Sequence, residues 1–568
     1  MQITLPSKSV DILNSTWADY EPYYRELVQH PIDQNNIGTW LTDWSSLKDV
    51  ISEMYARLNV AVTLDTLDEE AEIRFNAFLE NVYPAAQSAD QRLKEKLLAS
   101  GLEPHGFKIP LRKMRVDASI FRQHNLPLLV EARKLGIEYN KIIGVQTVNW
   151  KGKELTIQGM RPIMQTADRP LREKLWHMSY ERQLADRQQI NDLWVKEMGV
   201  RTQLAKNTDL PNYRSYRWRE MTRLDYTPKD CLEFHQAIEQ LAVPAATRMY
   251  EKYRSRSGVA SLRPWDMDLE LYPIGSQPLP SYGDVDELAC IAENIFNQVN
   301  PQLGAYFQTM REEELLDMAN IKGKAPGAYC TNFPVTKRPF IFMNAVGLAT
   351  DVRTIIHESG HAFHNFERFR LPYAQQRNPG LEFAEVASMG MELLASPYLA
   401  VDQGGFYEPA EAARFRIKHL ERILAFWPYM AVVDAFQHWV YTHAKMAANP
   451  SSCDAKWYEL WMRFIPGVDW SGLEAEAMTG WHRKQHIHRA PFYYIEYGLA
   501  QLGAVQVWHG ALQDQEAAVA RYRYALSLGG TATLPELYRT AGAKFAFDAT
   551  TLGNAVKLVE ETIAELED

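Results

Sequence analysis

The chain has 568 residues, a formal net charge of −10 and 46% hydrophobic residues, enough length and apolar content for more than one domain with a large core. Its charges are interspersed in sign, with no basic block suited to nucleic acid, and no stretch approaches the roughly 20 uninterrupted apolar residues of a membrane helix. Four sparse cysteines, at 231, 290, 330 and 453, have no C-x-x-C spacing, which predicts a reducing, cytoplasmic setting and argues against a thiolate metal site or a redox motif.

The first residues, Met-Gln-Ile-Thr-Leu-Pro-Ser, lack the charged region and apolar run of a signal peptide. Helical periodicity then dominates, over 37–135, 168–207, 228–256, 284–320 and 408–447. Residues 144–165 read as a β-hairpin turning at Lys151-Gly152, and further strands are expected at 265–273 and 327–344. The Pro- and Gly-rich stretch 255–284 reads as a loop crossing between lobes. No repeat of fixed period and no low-complexity segment interrupts this pattern. The fold class expected is mainly α, with a small sheet.

The segment His357-Glu358-Ser359-Gly360-His361 is an H-E-x-x-H motif. Residues four apart on a helix share a face one turn apart, so both imidazoles can reach one ion, and the adjacent glutamate can act as general base on a water there. The strand at 339–344, the breaker Gly347, a cap at Thr350 or Asp351, and Val352, Ile355, Ile356, Phe363 and Phe366 at helical spacing predict a buried, pre-organised helix. His364 lies on nearly the same face, but three histidines along one helix face span about 10 Å and do not converge on one ion. It reads as a packed or substrate-facing residue, and Cys330 as an inert thiol.

A catalytic zinc site has three protein ligands and an open position. Leu381–Glu392 reads as a second, largely apolar helix carrying Glu382, Glu385 and Glu392, and carboxylates there are costly unless they meet a metal, a histidine or an arginine. Spacing alone leaves the choice among the three open. Farther on, His486, Tyr493 and Tyr497 fall at i, i+7 and i+11, with Tyr494 at the edge of the same face. Pro491 should start or kink a helix, so His486 is expected just before a helix presenting the three tyrosines. Such groups can donate to a developing oxyanion; core packing is the competing reading for each phenol.

The runs His357-Glu-Ser-Gly-His-Ala-Phe-His364, Phe383-Ala-Glu-Val-Ala-Ser-Met389 and His486-Ile-His-Arg-Ala-Pro-Phe-Tyr-Tyr-Ile-Glu-Tyr497 together resemble the thimet-oligopeptidase family of zinc metallopeptidases, in its oligoendopeptidase F/Pz-peptidase branch. The resemblance implies Glu385 as the third zinc ligand beside His357 and His361, and Glu358 as the base. It also implies that His486, rather than His488, binds substrate with Tyr497, and leaves Tyr493 against Tyr494 open. It further implies a zincin-type fold whose helical lobes enclose a deep channel. Residues 1–255 would form much of the channel wall, and 256–568 the catalytic region with the zinc site and C-terminal helices. The activity implied is a zinc-dependent oligoendopeptidase acting on short unstructured peptides, with no membrane or nucleic-acid partner. A zinc carboxypeptidase or dipeptidase trimming peptide ends, and a non-catalytic peptide-binding protein, are the competing readings.

Overall fold

The computed structural model describes residues 5–267, 279, 282–321, 324–325 and 327–568. Helices dominate, as expected. The strands among these residues form a hairpin, β1 (Thr147–Trp150) with β2 (Lys153–Thr156), and a sheet of β3 (Leu316–Ala319), β4 (Tyr329–Phe333) and β5 (Arg338–Ala345). Among the described residues no helix is long and apolar enough to cross a membrane. Two compact units interleave along the chain. One comprises Met1–Ser119, Leu279–Ala412 and Ala500–Phe545; the other comprises Ile120–Pro278, Ala413–Leu499 and Ala546–Asp568.

In the first unit the helices Trp17–Gln29, Ile37–Leu64 and Tyr83–Ser100 close around Tyr20, Tyr24, Trp40, Trp44, Leu93 and Leu97. Trp40 and Trp44, one turn apart, face inward with their indole N–H groups donating to Leu27 O at 3.0 Å and Asp90 Oδ1 at 2.7 Å. Large aromatic area is thereby buried without an orphaned donor. The sheet runs in the order β3-β5-β4, with β5 parallel to β3 and antiparallel to β4. Phe340, Ile341, Phe342 and Met343 are all buried, because β5 is the central strand and is covered on both faces. β4 is an edge strand of this sheet.

The helical reading of 284–320 fails at its C-terminal end. Helices Val285–Val299 and Pro301–Glu312 are separated at Asn300, whose side chain accepts from Gln302 N–H at 3.0 Å, and residues 316–319 turn into β3. Four residues are too few for period-2 alternation to stand out against the helical run before them.

In the second unit the hairpin turns where expected, with Lys151 and Gly152 at φ of 48° and 80°, the left-handed pair that a two-residue turn requires. The hairpin is shorter than 144–165. Thr156 accepts from Gly159 N–H at 3.0 Å and starts the helix Ile157–Met164. Of the strand expected at 265–273, Pro264–Asp266 is a helical turn and residues 268–273 lie outside the described residues. Of the stretch 255–284 expected as a crossing loop, residues 268–278, 280 and 281 lie outside them as well.

Candidate active site

The H-E-x-x-H residues sit in the helix Ala349–Arg368, here the motif helix. Its N-cap is Leu348, not Thr350 or Asp351. Asp351 is three residues on, and its Oδ2 accepts from Val346 and Leu348 N–H groups at 2.8 and 2.9 Å and from the Tyr282 hydroxyl at 2.7 Å. It satisfies the open helix end and places negative charge at the positive pole of the helix. Val352, Ile355, Ile356 and Phe363 are fully buried, each contributing roughly 1.5–3 kcal/mol, and the Phe363 ring meets Phe296 edge-on at 4.9 Å. Phe366 is only half-buried and stacks on Tyr306 at 4.6 Å.

The helix Leu381–Ala395, here the carboxylate helix, lies directly on the motif helix. Gly360 permits the approach: a Cβ there would stand 2.5 Å from Ala387 O and 2.6 Å from Ser388 Cα. At this contact the two backbones touch, and the three carboxylates take different positions. Glu385 Oε2 faces both motif histidines, 3.7 Å from His357 Nε2 and 3.6 Å from His361 Nε2. Glu392 Oε1 lies behind His357, 2.6 Å from Nδ1. Glu382 is buried at the helix start, its Oε2 folded over Gly380, where an added Cβ would come within 2.6 Å of it.

His357, His361 and Glu385 therefore offer three ligand atoms within 4.8 Å of one another. In a tetrahedron with Zn–N of about 2.0–2.1 Å and Zn–O of about 2.0–2.2 Å, neighbouring ligands stand roughly 3.4 Å apart, so this spacing fits zinc. Other features fit as well. The imidazoles keep 25% and 20% side-chain exposure while Glu385 keeps 9%, which leaves one side of the trio open. Ser388 Oγ donates to Glu385 Oε2 at 2.9 Å and fixes that carboxylate. Three carboxylates also crowd the two imidazoles, an imbalance that a divalent cation relieves.

That crowding appears in the proton affinities. Burial disfavours charge on His357, but the hydrogen bond and charge of Glu392, with Glu385 and Glu358, outweigh it and raise the imidazole to about 9. His361 lacks such a partner, and burial lowers it to about 4 despite Glu385. Burial, Glu385 and Glu392 raise Glu358 to about 7, against the opposing pull of His357 and the Cys330 backbone N–H. The Cys330 thiol is itself pushed up by burial and by Glu358, which makes it an inert neighbour at neutral pH. His364 is buried, its ring 6.3 Å from Phe383, and it stays outside the trio.

The remaining expected residues cluster in the second unit. His486 lies in the short helix Gln485–Arg489, and the chain turns at Pro491 and at Phe492 (φ 65°) before the helix Tyr494–Gln513. Tyr493 precedes that helix. The His486 ring lies 5.8, 5.1 and 6.0 Å from those of Tyr493, Tyr494 and Tyr497. Tyr494 is buried, and its hydroxyl receives a hydrogen bond from Lys484 Nζ at 2.8 Å, whereas Tyr493 and Tyr497 keep part of their surface. Burial, then the charges of Lys484 and Arg489, lower His486 to about 4. His488 is packed away, stacked on Tyr139 at 4.3 Å with Nδ1 3.1 Å from Glu197. Sequence reasoning missed Ser388, the role of Glu392 behind His357, and Lys484.

The model of peptidase family M3 matches residues 163–554. Oligopeptidase PepF of Bacillus subtilis (strain 168) is 25% identical over 261 residues, 45% of this chain and 38% of that protein. Oligoendopeptidase F of Lactococcus lactis subsp. cremoris is 26% identical over 274 residues, 45% and 42% of the two chains. The match thus spans about two fifths of the length of these curated relatives. The solved structure of Pz peptidase A with inhibitor 2 superposes with a TM-score of 0.88 at 25% identity, over 99% of each chain. With a match across more than half its length and a fold shared from end to end, this chain belongs to peptidase family M3.

Proposed function

We propose that the chain is a zinc-dependent oligoendopeptidase that hydrolyses internal bonds of short, unstructured peptides. The observation that carries this reading is the convergence of His357, His361 and Glu385 beside Glu358. These three residues would hold zinc, which when bound acidifies a water and polarises the scissile carbonyl. Glu358, the base of the reaction, takes the proton of the attacking water and delivers it to the leaving amine. Its elevated affinity, about 7 before a cation arrives, suits a group that must both accept and return a proton. Glu392 and Ser388 keep His357 and Glu385 in orientation.

The substrate backbone pairs with the outer edge of β4, which carries Cys330 beside Glu358. The segment 339–344, an alternative for that pairing, is the central strand and has no open edge among the described residues. Main-chain pairing reads no side chain, which supports loose sequence preference. His486, neutral above about pH 4, and Tyr497 donate to the developing oxyanion. Tyr493 is the second substrate-facing phenol, because it keeps part of its surface while Tyr494 is buried. The sparse cysteines support a cytoplasmic setting.

The test is mass-spectrometric product mapping on a mixed set of unstructured peptides, with wild type and Glu358→Gln side by side. Internal cuts by the wild type alone are expected, with zinc content equal in both proteins. Terminal trimming would instead make the chain a carboxypeptidase or dipeptidase. Binding without cleavage by zinc-loaded wild type would make it a peptide-binding protein.

A further inference from the structure

Two helices of the second unit each bring a pair of potential ligands, four residues apart, to one buried point. The helix Pro228–Ala237 carries Cys231 and His235, and the helix Pro409–Thr442 carries Asp434 and His438. All four side chains are buried, with Cys231 and Asp434 fully so. Ligand atoms of Cys231, Asp434 and His438 lie within 4.8 Å of one another. Spacing of i, i+4 on each of two facing helices is the same geometric device that the motif helix uses for His357 and His361.

The polar atoms here are disposed toward a common centre more than toward each other. His438 Nε2 is 3.2 Å from Asp434 Oδ2, the separation of two ligands on one ion, and makes no well-aligned hydrogen bond in this buried position. Asp434 Oδ1 is buried without a partner. His235 Nε2 holds the other carboxylate oxygen, Oδ2, at 2.9 Å, the usual arrangement of a group that orients a ligating carboxylate. A buried acceptor with no partner, beside a ring nitrogen held only by a poorly aligned contact, is costly in a protein interior, and a cation between them removes that cost.

We propose that Cys231, Asp434 and His438 form a second metal site, for a divalent transition cation of the zinc class, with His235 orienting Asp434. The donor set of one thiolate, one imidazole and one carboxylate suits zinc and not magnesium or calcium. Binding displaces the thiol proton of Cys231, which leaves to solvent. Arg214 Nη1 stands 3.2 Å from His438 Nδ1. An imidazole that ligates through Nε2 keeps its proton on Nδ1 and cannot accept there, so Arg214 must turn away as the ion enters. Arg214 is thus a competitor of the ion for this cluster. The ion ties two helices of one unit together and performs no step of peptide hydrolysis.

The experiment uses the full chain with His357→Ala and His361→Ala, so that the first centre is lost, and titrates zinc and then cobalt(II). One zinc per chain is expected, and the cobalt form should show a sulfur-to-metal charge-transfer band, which the His357–His361–Glu385 trio cannot produce. Cys231→Ser in that background should abolish the band. Arg214→Gln should tighten zinc binding by about tenfold, the lower end of what a neighbour of a metal ligand changes. Absence of bound metal in the double variant, or a cobalt spectrum unchanged by Cys231→Ser, would overturn the site. The cobalt band reports this site alone, so its outcome is independent of whether the first trio binds zinc.

Discussion

Glu392 Oε1 lies 2.6 Å from Nδ1 of His357, on the face of the imidazole opposite Glu385. A carboxylate there fixes the tautomer of the neutral ring: Nδ1 keeps its proton, and once the second proton leaves Nε2 presents its lone pair toward His361 and Glu385. Glu392→Ala should weaken zinc binding by about 10–100-fold, with a smaller loss for Glu392→Gln, whose amide oxygen can still accept from Nδ1. Competition against a chelator of known affinity measures both. Equal affinities in all three proteins would reduce Glu392 to a packing residue.

The three carboxylates of one helix should separate in metal content. Glu385→Ala removes the proposed third ligand and should leave the protein without stably held zinc after dialysis. Glu382→Ala, at the helix start, should retain it. Metal analysis of the two variants in parallel is decisive, since zinc lost from Glu382→Ala but kept by Glu385→Ala would move the ligand by one turn.

Gly360 is the point where the motif and carboxylate helices meet backbone to backbone, so Gly360→Ala should push them apart. Overpacking of this kind costs about 1–3 kcal/mol, and it moves Glu385 relative to His357 and His361. Calorimetry should show a lower Tm and zinc titration a weaker site. A Tm at or above that of the wild type would mean that the helices absorb the methyl group without strain.

Metal uptake should release protons. In the metal-free chain His357 is raised from its ordinary value to about 9, so it is protonated at neutral pH. Its proton must leave before Nε2 can ligate. The ion pair with Glu392 stabilises the metal-free fold fully below about pH 6.5, the ordinary histidine value, and this stabilisation is lost as pH rises through about 9. Zinc affinity should therefore climb by about tenfold per pH unit from pH 7 and level off near 9. Calorimetric titrations in buffers of different ionisation enthalpy measure the protons released. A pH-independent affinity would show that His357 enters the reaction already neutral.

Much of the first centre was legible because it rests on short-range rules. H-E-x-x-H is a statement about one helical face, whereas the spacing of Glu382, Glu385 and Glu392 left the third ligand open and only the family resemblance points to Glu385. The roles of Glu392 and Ser388 were not legible, because both depend on how two helices pass each other at Gly360. The same reason hid the cluster at Cys231. A search for paired cysteines finds nothing there, and its two i, i+4 pairs lie about 200 residues apart. β3 was lost to a helical run that ended a few residues too early, and the cap at Leu348 to the longer reach of Asp351. Local pattern gives elements and motifs; which carboxylate faces a histidine and which stands behind it is decided by packing.

The aromatic cluster separates its own members by solvent access and hydrogen bonding. Lys484 is lowered to about 7 by burial, and its ammonium sits 3.9 Å above the Tyr494 ring while donating to that hydroxyl. Tyr494→Phe removes the acceptor of a half-buried lysine, so its principal cost should be in stability, about 1–3 kcal/mol, with kcat held within about tenfold. Tyr497 keeps part of its surface and packs 5.1 Å from Tyr493. If its phenol donates to the oxyanion, Tyr497→Phe should lower kcat by about 10²–10³ with little change in KM, because the interaction strengthens only as charge develops. His486, lowered to about 4, is neutral throughout pH 5–8 and should add no inflection to the kcat profile in that range. Steady-state kinetics and melting curves on the two Phe variants settle the assignment. A kcat loss confined to Tyr494→Phe would exchange the roles of the two phenols and make Lys484 part of the substrate site.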